Sequence, residues 1–176
     1  MEIIICPKCN KRIEGYKVNQ VEHLMKQHML THGEEKKPII AYAYACFDII
    51  HKGHIKHLIN AKSKCDKLVC GVLTNNAILQ RKPAPTINFD ERKFVAEHIK
   101  EIDLVMEQDE YSPINNIKKL KPDILIESES HTKEDIANAE KVMAELGGKV
   151  IVLPYHKEQS STNIKETIQK KWKKPK

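Results

Sequence analysis

The stretch that decides the fold is FDIIHKGH, residues 47–54, which lies between an apolar run and an amphipathic segment. Residues 39–47 are nearly continuously apolar, as in a strand buried on both faces, and residues 54–63 have helical spacing. A strand that leads into a helix presents free backbone N–H groups and a partial positive charge, which bind anions. His51 and His54 are therefore candidate phosphate ligands, and Gly53 would let the backbone approach the phosphate. The alternative is that both histidines only cap and pack the helix start.

The same alternation of apolar runs and amphipathic segments continues along the chain. Further apolar runs lie at 67–73, 102–107, 123–127 and 149–153, and helix-like segments at 75–79, 90–100, 113–120, 133–146 and 163–173. Short apolar runs that alternate with helices predict an α/β fold with a doubly wound parallel sheet of about five strands. In such a sheet, ligands bind at the carboxyl ends of the strands.

The composition is that of a folded, soluble protein. The 176 residues, of which 40% are hydrophobic and 31% charged, have room for one domain and an appendage. No apolar run approaches the ~20 residues that span a bilayer, and residues 1–7 turn polar too soon for a secretory signal. An odd number of cysteines, five, argues against a secreted disulfide scaffold. We therefore predict a cytoplasmic protein.

The net charge of +6 is concentrated at the C-terminus, because residues 165–176 hold six lysines and one glutamate and so contribute +5. A basic tail can hold polyanions by counterion release, which makes nucleic acid an alternative partner. No aromatic stacking pattern accompanies the charge, so we interpret the tail as a solubilising terminus.

The composition changes at residues 33–38, GEEKKP, which interrupt the hydrophobic periodicity. Because proline disfavours helix in the residue before it, a boundary is predicted at Pro38. The predicted parts are a small module at 1–37, a larger domain at 38–170 and a basic tail at 171–176.

The first module carries a predicted metal site. Cys6 and Cys9 are separated by two residues, a spacing that offers two thiolates to one ion. His28 and His32 are four residues apart, so on a helix both imidazoles lie on one face. These four residues form a predicted structural Zn²⁺ site, with His23 as an alternative to either histidine. A module so poor in core residues needs such a staple; the alternative is a chance Cys pair and a His-rich surface helix.

Residues 31–38, THGEEKKP, resemble the linker that follows the last histidine of C2H2 zinc fingers. The spacing departs from that family, because eighteen residues separate Cys9 from His28 where the family has about twelve. The resemblance leaves open whether the module binds nucleic acid, protein or neither.

Residues 45–54 resemble the HxGH signature of the nucleotidyltransferase superfamily, which includes cytidylyltransferases and pantetheine-phosphate adenylyltransferase. The resemblance runs from about Ile39 to Ile168. It is strongest toward glycerol-3-phosphate cytidylyltransferase and the cytidylyltransferase domains of phosphonate biosynthesis. The matching segments are GVLT at 71–74, FDERK at 89–93, LKPD at 120–123, GGKV at 147–150 and SST at 160–162.

The resemblance implies a Mg²⁺-dependent reaction in which a substrate phosphate or phosphonate attacks the α-phosphorus of a nucleoside triphosphate and pyrophosphate leaves. It assigns phosphate binding and catalysis to His51, His54 and Lys82, and it implies a homodimer. Further basic residues near the site would be Arg92 and Lys100, with the alternative that they are solvated or paired residues of an amphipathic helix. The other nucleotide contacts would come from Cys46, Phe47, Glu129, Ser160, Ser161 and Thr162. The last three also predict a cap on the helix near Asn163.

The sequence departs from the family's pattern in the base-binding element. Cytidylyltransferases of this group carry a GDDW-like segment where this chain has SESH at 128–131, and Tyr155 replaces an arginine, with His156 as a candidate donor instead. Because Glu129 could accept from the exocyclic amine of either base, CTP is favoured only modestly over ATP. The alternatives are an adenylyltransferase and a zinc-finger adaptor whose α/β domain only senses nucleotide.

Overall fold

The structure is a computed structural model and describes residues 1–33, 37–156 and 160–172. Contacts divide the chain into two compact units, Met1–Lys37 and Pro38–Lys176. The predicted tail begins inside the last helix, which runs to Trp172, and residues 173–176 lie outside the described part of the chain.

The first unit is a β-hairpin followed by a helix. Strands β1 (Glu2–Ile5) and β2 (Arg12–Gly15) pair antiparallel, and helix α1 spans Val18–Thr31. The sequence analysis did not predict the hairpin, because two four-residue strands in which only Ile13 and Gly15 are buried give too weak a hydrophobic pattern to be recognised. The buried apolar residues of the unit are Cys6, Ile13 and Val21. Such a small core leaves the unit dependent on another source of stability.

The second unit is built on a five-stranded parallel sheet in the order β5-β4-β3-β6-β7. This arrangement confirms the predicted doubly wound α/β fold. The strands are β3 (Ile40–Ala45), β4 (Lys67–Leu73), β5 (Leu104–Gln108), β6 (Ile124–Ser128) and β7 (Lys149–Leu153). The helices are α2 (Lys52–Lys62), α3 (Asn75–Leu79), α4 (Phe89–Glu97), α5 (Ile114–Leu120), α6 (Lys133–Glu145) and α7 (Ser161–Trp172).

Alternate residues of β3 face opposite sides of the sheet, as the two-residue period of a strand requires. Ala41 and Ala43 belong to the core that includes Leu58 of α2. Tyr42 packs on the other side with Met143 of α6. The sheet is therefore covered on both faces by the described helices.

Several element ends differ from the sequence prediction, and two of them have a clear local cause. Strand β3 ends at Ala45 and not at residue 47, because Phe47 has a left-handed backbone conformation (φ 54°) that turns the chain out of the sheet. Helix α4 ends at Glu97, because the backbone N–H groups of His98 and Ile99 bond three residues back in a tightening turn.

None of the helices in the described ranges is long and apolar enough to cross a membrane.

Candidate functional site

A cavity of about 650 Å³ lies at the carboxyl ends of β3, β6 and β7, where the predicted topology places a ligand. The segment that follows β3 and the N-terminal residues of α2 and α7 line it. The predicted site residues that the structure brings to this cavity are Cys46, Phe47, His51, His54, Lys82, Ser160, Ser161 and Thr162.

The two histidines of the HKGH motif are held in a defined orientation at the start of α2. His51 caps the helix: its Nδ1 accepts from the backbone N–H of Gly53 at 3.1 Å. In return, His54 Nδ1 accepts from the backbone N–H of His51 at 3.4 Å, and the ring centroids are 4.1 Å apart. Because both Nδ1 atoms accept hydrogen bonds, a neutral ring carries its proton on Nε2. The pair is therefore set to donate two Nε2–H groups.

Gly53 is required where these rings meet. A Cβ atom on Gly53 would lie 2.9 Å from Cε1 of His51, closer than a carbon atom can approach without displacing the ring. Any larger residue would therefore disturb the cap that orients His51.

Both histidines are neutral at physiological pH in the absence of a ligand. Burial lowers the pKa of His51 below its usual value. Burial, together with repulsion from His51, His57 and Lys82, lowers the pKa of His54 to about 4. In the neutral state both rings can therefore donate Nε2–H to a phosphate. The negative charge of a bound phosphate would raise both pKa values.

The N-terminus of α7 approaches the same end of the cavity. Ser160 caps the helix, as predicted, by accepting from the backbone N–H of Asn163 at 3.1 Å. Ser161 donates to the backbone carbonyl of Ile49 at 3.0 Å, which ties α7 to the segment between β3 and α2. Two helix N-termini, each a partial positive charge, thus adjoin one cavity.

Asp48 joins three segments around the cavity and was given no role by the sequence analysis. Its carboxylate accepts from the backbone N–H groups of Thr86 and Ile87 at 2.7 and 2.9 Å and pairs with Lys165 of α7 at 2.5 Å. Burial alone would raise the pKa of Asp48, but these donors bring it below its usual value. The only sequence signal was its place inside the motif.

The loop after α3 brings Lys82 to the cavity. Its neighbour Arg81 makes a two-pronged ion pair with Asp135 of α6, with N–O distances of 2.6 and 2.8 Å. Tyr111 packs beside both cations, at 4.9 Å from the Arg81 guanidinium and 5.6 Å from Lys82 Nζ. The exposed Lys82 is therefore carried by a loop that is anchored to α6.

Arg92 requires a correction, because its side chain is 1% exposed and does not line the cavity. Its guanidinium donates to the backbone carbonyls of Cys46, Leu73 and Ile87 at 2.6, 2.7 and 3.0 Å and to Asn75 Oδ1 at 2.8 Å. These bonds hold the carboxyl ends of β3 and β4 in place. Arg92 is a positioning residue and not the nucleotide contact that the resemblance implied.

Two other predicted residues also lie outside the cavity lining. Lys100 is exposed in the turn after α4. Glu129 is exposed, and its carboxylate accepts from the backbone N–H of Tyr155 at 3.3 Å. The neighbouring Ser128 and Ser130 line the cavity instead.

The cavity has a second half above the α5–α6 face of the sheet, which the sequence analysis missed. Glu127, 1% exposed, accepts from the Tyr44 hydroxyl at 3.2 Å and from His131 Nδ1. Burial and the Glu127 charge raise the pKa of Tyr44, so this hydroxyl stays a donor at neutral pH. The sequence analysis gave Glu127 no role, because it is the last residue of the apolar run 123–127 and resembles the polar end of a strand.

Two cysteines and two histidines of the first unit converge on one point. Cys6 Sγ lies 3.2 Å from His32 Nε2, Cys9 Sγ 3.3 Å from His28 Nε2, and the two Nε2 atoms 3.1 Å apart. All four ligand atoms lie within 4.8 Å of one another. A tetrahedral zinc site with bonds of ~2.0–2.3 Å has edges of about 3.3–3.8 Å, so the residues fit the ion. His23 is not in this cluster.

The chemistry of the donors also fits zinc. Burial alone would raise the pKa of Cys6, but backbone N–H groups of Lys8 and Cys9 bring it below its usual value. A thiolate supported by amides of its own turn is a ready metal ligand.

Comparison with known proteins identifies the family of the second unit. A family model described as cytidylyltransferase-like matches residues 42–167. The chain belongs to this family of nucleotidyltransferases. It is 34% identical over 128 residues to bifunctional protein HldE of Caulobacter sp. strain K31 and 33% identical over 133 residues to that of Geobacter sulfurreducens. These alignments cover 71% and 74% of this chain but only 26% and 27% of the relatives.

Solved structures share the fold. A lipopolysaccharide core biosynthesis protein from Thermoplasma volcanium matches with a TM-score of 0.61 at 25% identity, over 70% of this chain and 100% of that one. TmcAL of Thermotoga maritima, bound with alpha-thio ATP, matches with a TM-score of 0.59 at 13% identity, over 76% of this chain and 51% of its own. The second likeness bears on the fold alone.

Proposed function

We propose that this cytidylyltransferase-like nucleotidyltransferase transfers CMP from CTP to a small phosphate or phosphonate and releases pyrophosphate. The observation that carries the proposal is the pair of Nε2–H donors on His51 and His54, fixed by backbone amides at the N-terminus of α2. An acceptor oxygen would form a bond to the α-phosphorus while the bond to the bridging oxygen of the β-phosphate breaks. The leaving pyrophosphate takes that electron pair.

The protein's part in this reaction is positioning and charge stabilisation. His51 and His54 would donate to phosphate oxygens whose negative charge increases in the transition state, where fixed donors contribute most. Lys82, on the loop anchored by Arg81 and Asp135, would add a positive charge from the opposite side. No proton transfer is needed if the acceptor is already an ionised phosphate.

The residues also fit a requirement for Mg²⁺. Asp48 is the one carboxylate among the described residues that line the cavity, and Lys165 and two backbone amides already bond it. The ion would therefore be held through phosphate oxygens and water, as Mg²⁺ commonly is, and would neutralise phosphate charge.

The second half of the cavity supports an acceptor position beside the nucleotide. His131 lines this half, and because its Nδ1 is directed at Glu127, its Nε2 is left for a ligand. Tyr44, Ser128 and Ser130 add hydroxyl groups. These groups would bind polar substituents on the body of the acceptor, while its phosphate extends toward His51.

ATP is the alternative nucleotide. Glu129, the residue that we expected to read the base, is turned to the Tyr155 backbone, which removes the specific argument for an amine contact. ATP, whose adenine also carries an exocyclic amine, is therefore the nucleotide to test against CTP.

For the first unit, we propose structural Zn²⁺ on Cys6, Cys9, His28 and His32. The family resemblance supports a homodimer. The adaptor alternative would be supported by salt-dependent binding to nucleic acid without pyrophosphate release.

The decisive experiment is calorimetric titration of the full chain with CTP, ATP, GTP and UTP in the presence of Mg²⁺. A preference for CTP supports the proposal, a preference for ATP supports the alternative, and no binding to any of them refutes both. Pyrophosphate release with a panel of phosphate and phosphonate acceptors follows. The variant His54→Ala should reduce turnover by ~100-fold or more. His98→Ala should not, because His98 is an exposed residue just after α4 and lies outside the cavity lining.

A further inference from the structure

His156 presents an unused polar atom inside the protein. It follows β7, and its Nε2 is the buried side-chain nitrogen or oxygen for which the described ranges supply no hydrogen-bond partner. Buried polar groups are otherwise bonded in nearly every case, so an exception requires an explanation. A ligand that accepts a hydrogen bond would supply the missing partner.

The position of His156 indicates which ligand that is. A Cβ atom on Gly53 would lie 3.6 Å from the Cβ of His156 and 2.9 Å from Cε1 of His51, so the two histidines approach the same glycine of the HKGH motif. His156 also lines the cavity together with His54 and Ser160. It therefore lies at the phosphate end of the proposed nucleotide site.

The charges around His156 favour an anion. His57 is close enough for its pKa to be lowered by His156, although burial is the larger cause. Among the described residues that line the cavity, the other groups that can carry a positive charge are His51, His54, Lys82, His131 and Lys165, and His131 also lowers the pKa of His57. The carboxylate of Asp48 is bonded to Lys165 and to backbone amides, and it does not accept a hydrogen bond from Nε2 of His156.

We propose that Nε2–H of His156 donates to a phosphate group of the bound nucleoside triphosphate, as a third imidazole beside His51 and His54. This inference rests on the proposed function and names a further binding residue of the same site. The resemblance places an arginine at position 155, where this chain has a tyrosine. His156 would supply the missing donor from the next position. This role also explains why Nε2 of this imidazole is buried with no hydrogen-bond partner among the described residues.

The test compares three variants that differ in the donor they retain. His156→Gln places an amide N–H near the Nε2 position, His156→Asn keeps an amide that reaches only to the Nδ1 position, and His156→Leu removes every donor. His98→Leu is the matched control, because His98 is exposed and bonded through Nδ1 to the Phe94 carbonyl. Thermal unfolding of each variant shows whether it is folded.

The full chain and its variants are titrated with Mg²⁺-CTP, Mg²⁺-ATP and inorganic tripolyphosphate. We expect His156→Leu and His156→Asn to weaken binding of the preferred nucleotide and of tripolyphosphate by ~10-fold or more, the size typical of a hydrogen bond to a charged group. His156→Gln should remain within ~3-fold of wild type, and His98→Leu should bind as wild type does.

Two results would overturn the inference while leaving the proposed function intact. One is unchanged affinity in His156→Leu, which would mean that the imidazole only packs or binds water. The other is an equal loss in the Gln and Leu variants, which would indicate shape and not donation. Wild-type protein that binds none of the three probes would overturn the proposed function itself, and this inference with it. If the Leu variant does not fold, the Gln and Asn pair gives the same comparison.

Discussion

Replacing Arg92 by methionine tests whether this residue holds in place the strand ends that border the site. The guanidinium is buried and makes four hydrogen bonds, three of them to backbone carbonyls at the ends of β3, β4 and the loop before α4. Methionine keeps much of the volume but leaves those carbonyls without a donor. Since each buried acceptor left unpaired costs ~1–3 kcal/mol and partial rearrangement recovers some of it, we expect a loss of about 3–5 kcal/mol.

The assay is urea unfolding followed by far-ultraviolet circular dichroism, with calorimetry as a second measure. Lys93→Met is the matched control on the same helix, because Lys93 is partly exposed and pairs with Glu107 at 2.8 Å. Such a surface pair contributes ~0–1 kcal/mol. A loss below about 1 kcal/mol in Arg92→Met, accompanied by a large loss of nucleotide affinity, would refute the positioning role and restore direct nucleotide contact.

Three further predictions concern other parts of the chain. Cys9→Ser should reduce zinc from one equivalent per chain to substoichiometric levels and lower the unfolding temperature of the first unit; metal analysis that finds no zinc in the wild type would eliminate the site. Gly71→Ala should destabilise the second unit by ~1–3 kcal/mol, because the new Cβ would lie 1.9 Å from the Tyr42 hydroxyl, and an unchanged urea midpoint would contradict this. The hydrogen bond from Arg81 lowers the pKa of Asp135 to about 2, so the stability from this depressed carboxyl is present above pH ~4 and is lost as the pH falls toward 2. Asp135→Asn should therefore make the free energy of unfolding less dependent on pH in the acid range. An unchanged pH dependence would show that the pair contributes nothing.

Much of the architecture could be predicted because the relevant signals are local. Apolar runs of five to seven residues define β4, β6 and β7, and their ends agree with the prediction to within one residue. The end of β3 was misplaced, because nothing in the sequence shows that Phe47, a bulky residue, adopts a left-handed conformation. The hairpin of the first unit was missed because its strands are short and largely exposed.

In the candidate site, too, the residues that could be predicted are those whose proximity follows from local sequence. His51 and His54 could be singled out because they are three residues apart and flank a helix start, so their proximity follows from chain geometry alone. Glu127 and His131 are also near in sequence, yet their partner Tyr44 is 83 residues from Glu127, and no local pattern links the strands that carry them. The role of Arg92 depends on carbonyl groups that lie 19 and 46 residues away in the sequence.

What the sequence by itself determined is the set of features that short-range geometry imposes: the alternating α/β order, the turn that precedes α2 and the spacing of Cys6, Cys9, His28 and His32. What only the tertiary structure decided is the surroundings of each side chain. It placed Arg92 at the ends of β3 and β4 and left Nε2 of His156 buried with no hydrogen-bond partner in the part of the chain that the structure describes. The physical reason is that hydrogen-bond partners and burial are set by which strands lie side by side. That neighbourhood arises from packing over the whole sheet and is not encoded within any single stretch of the chain.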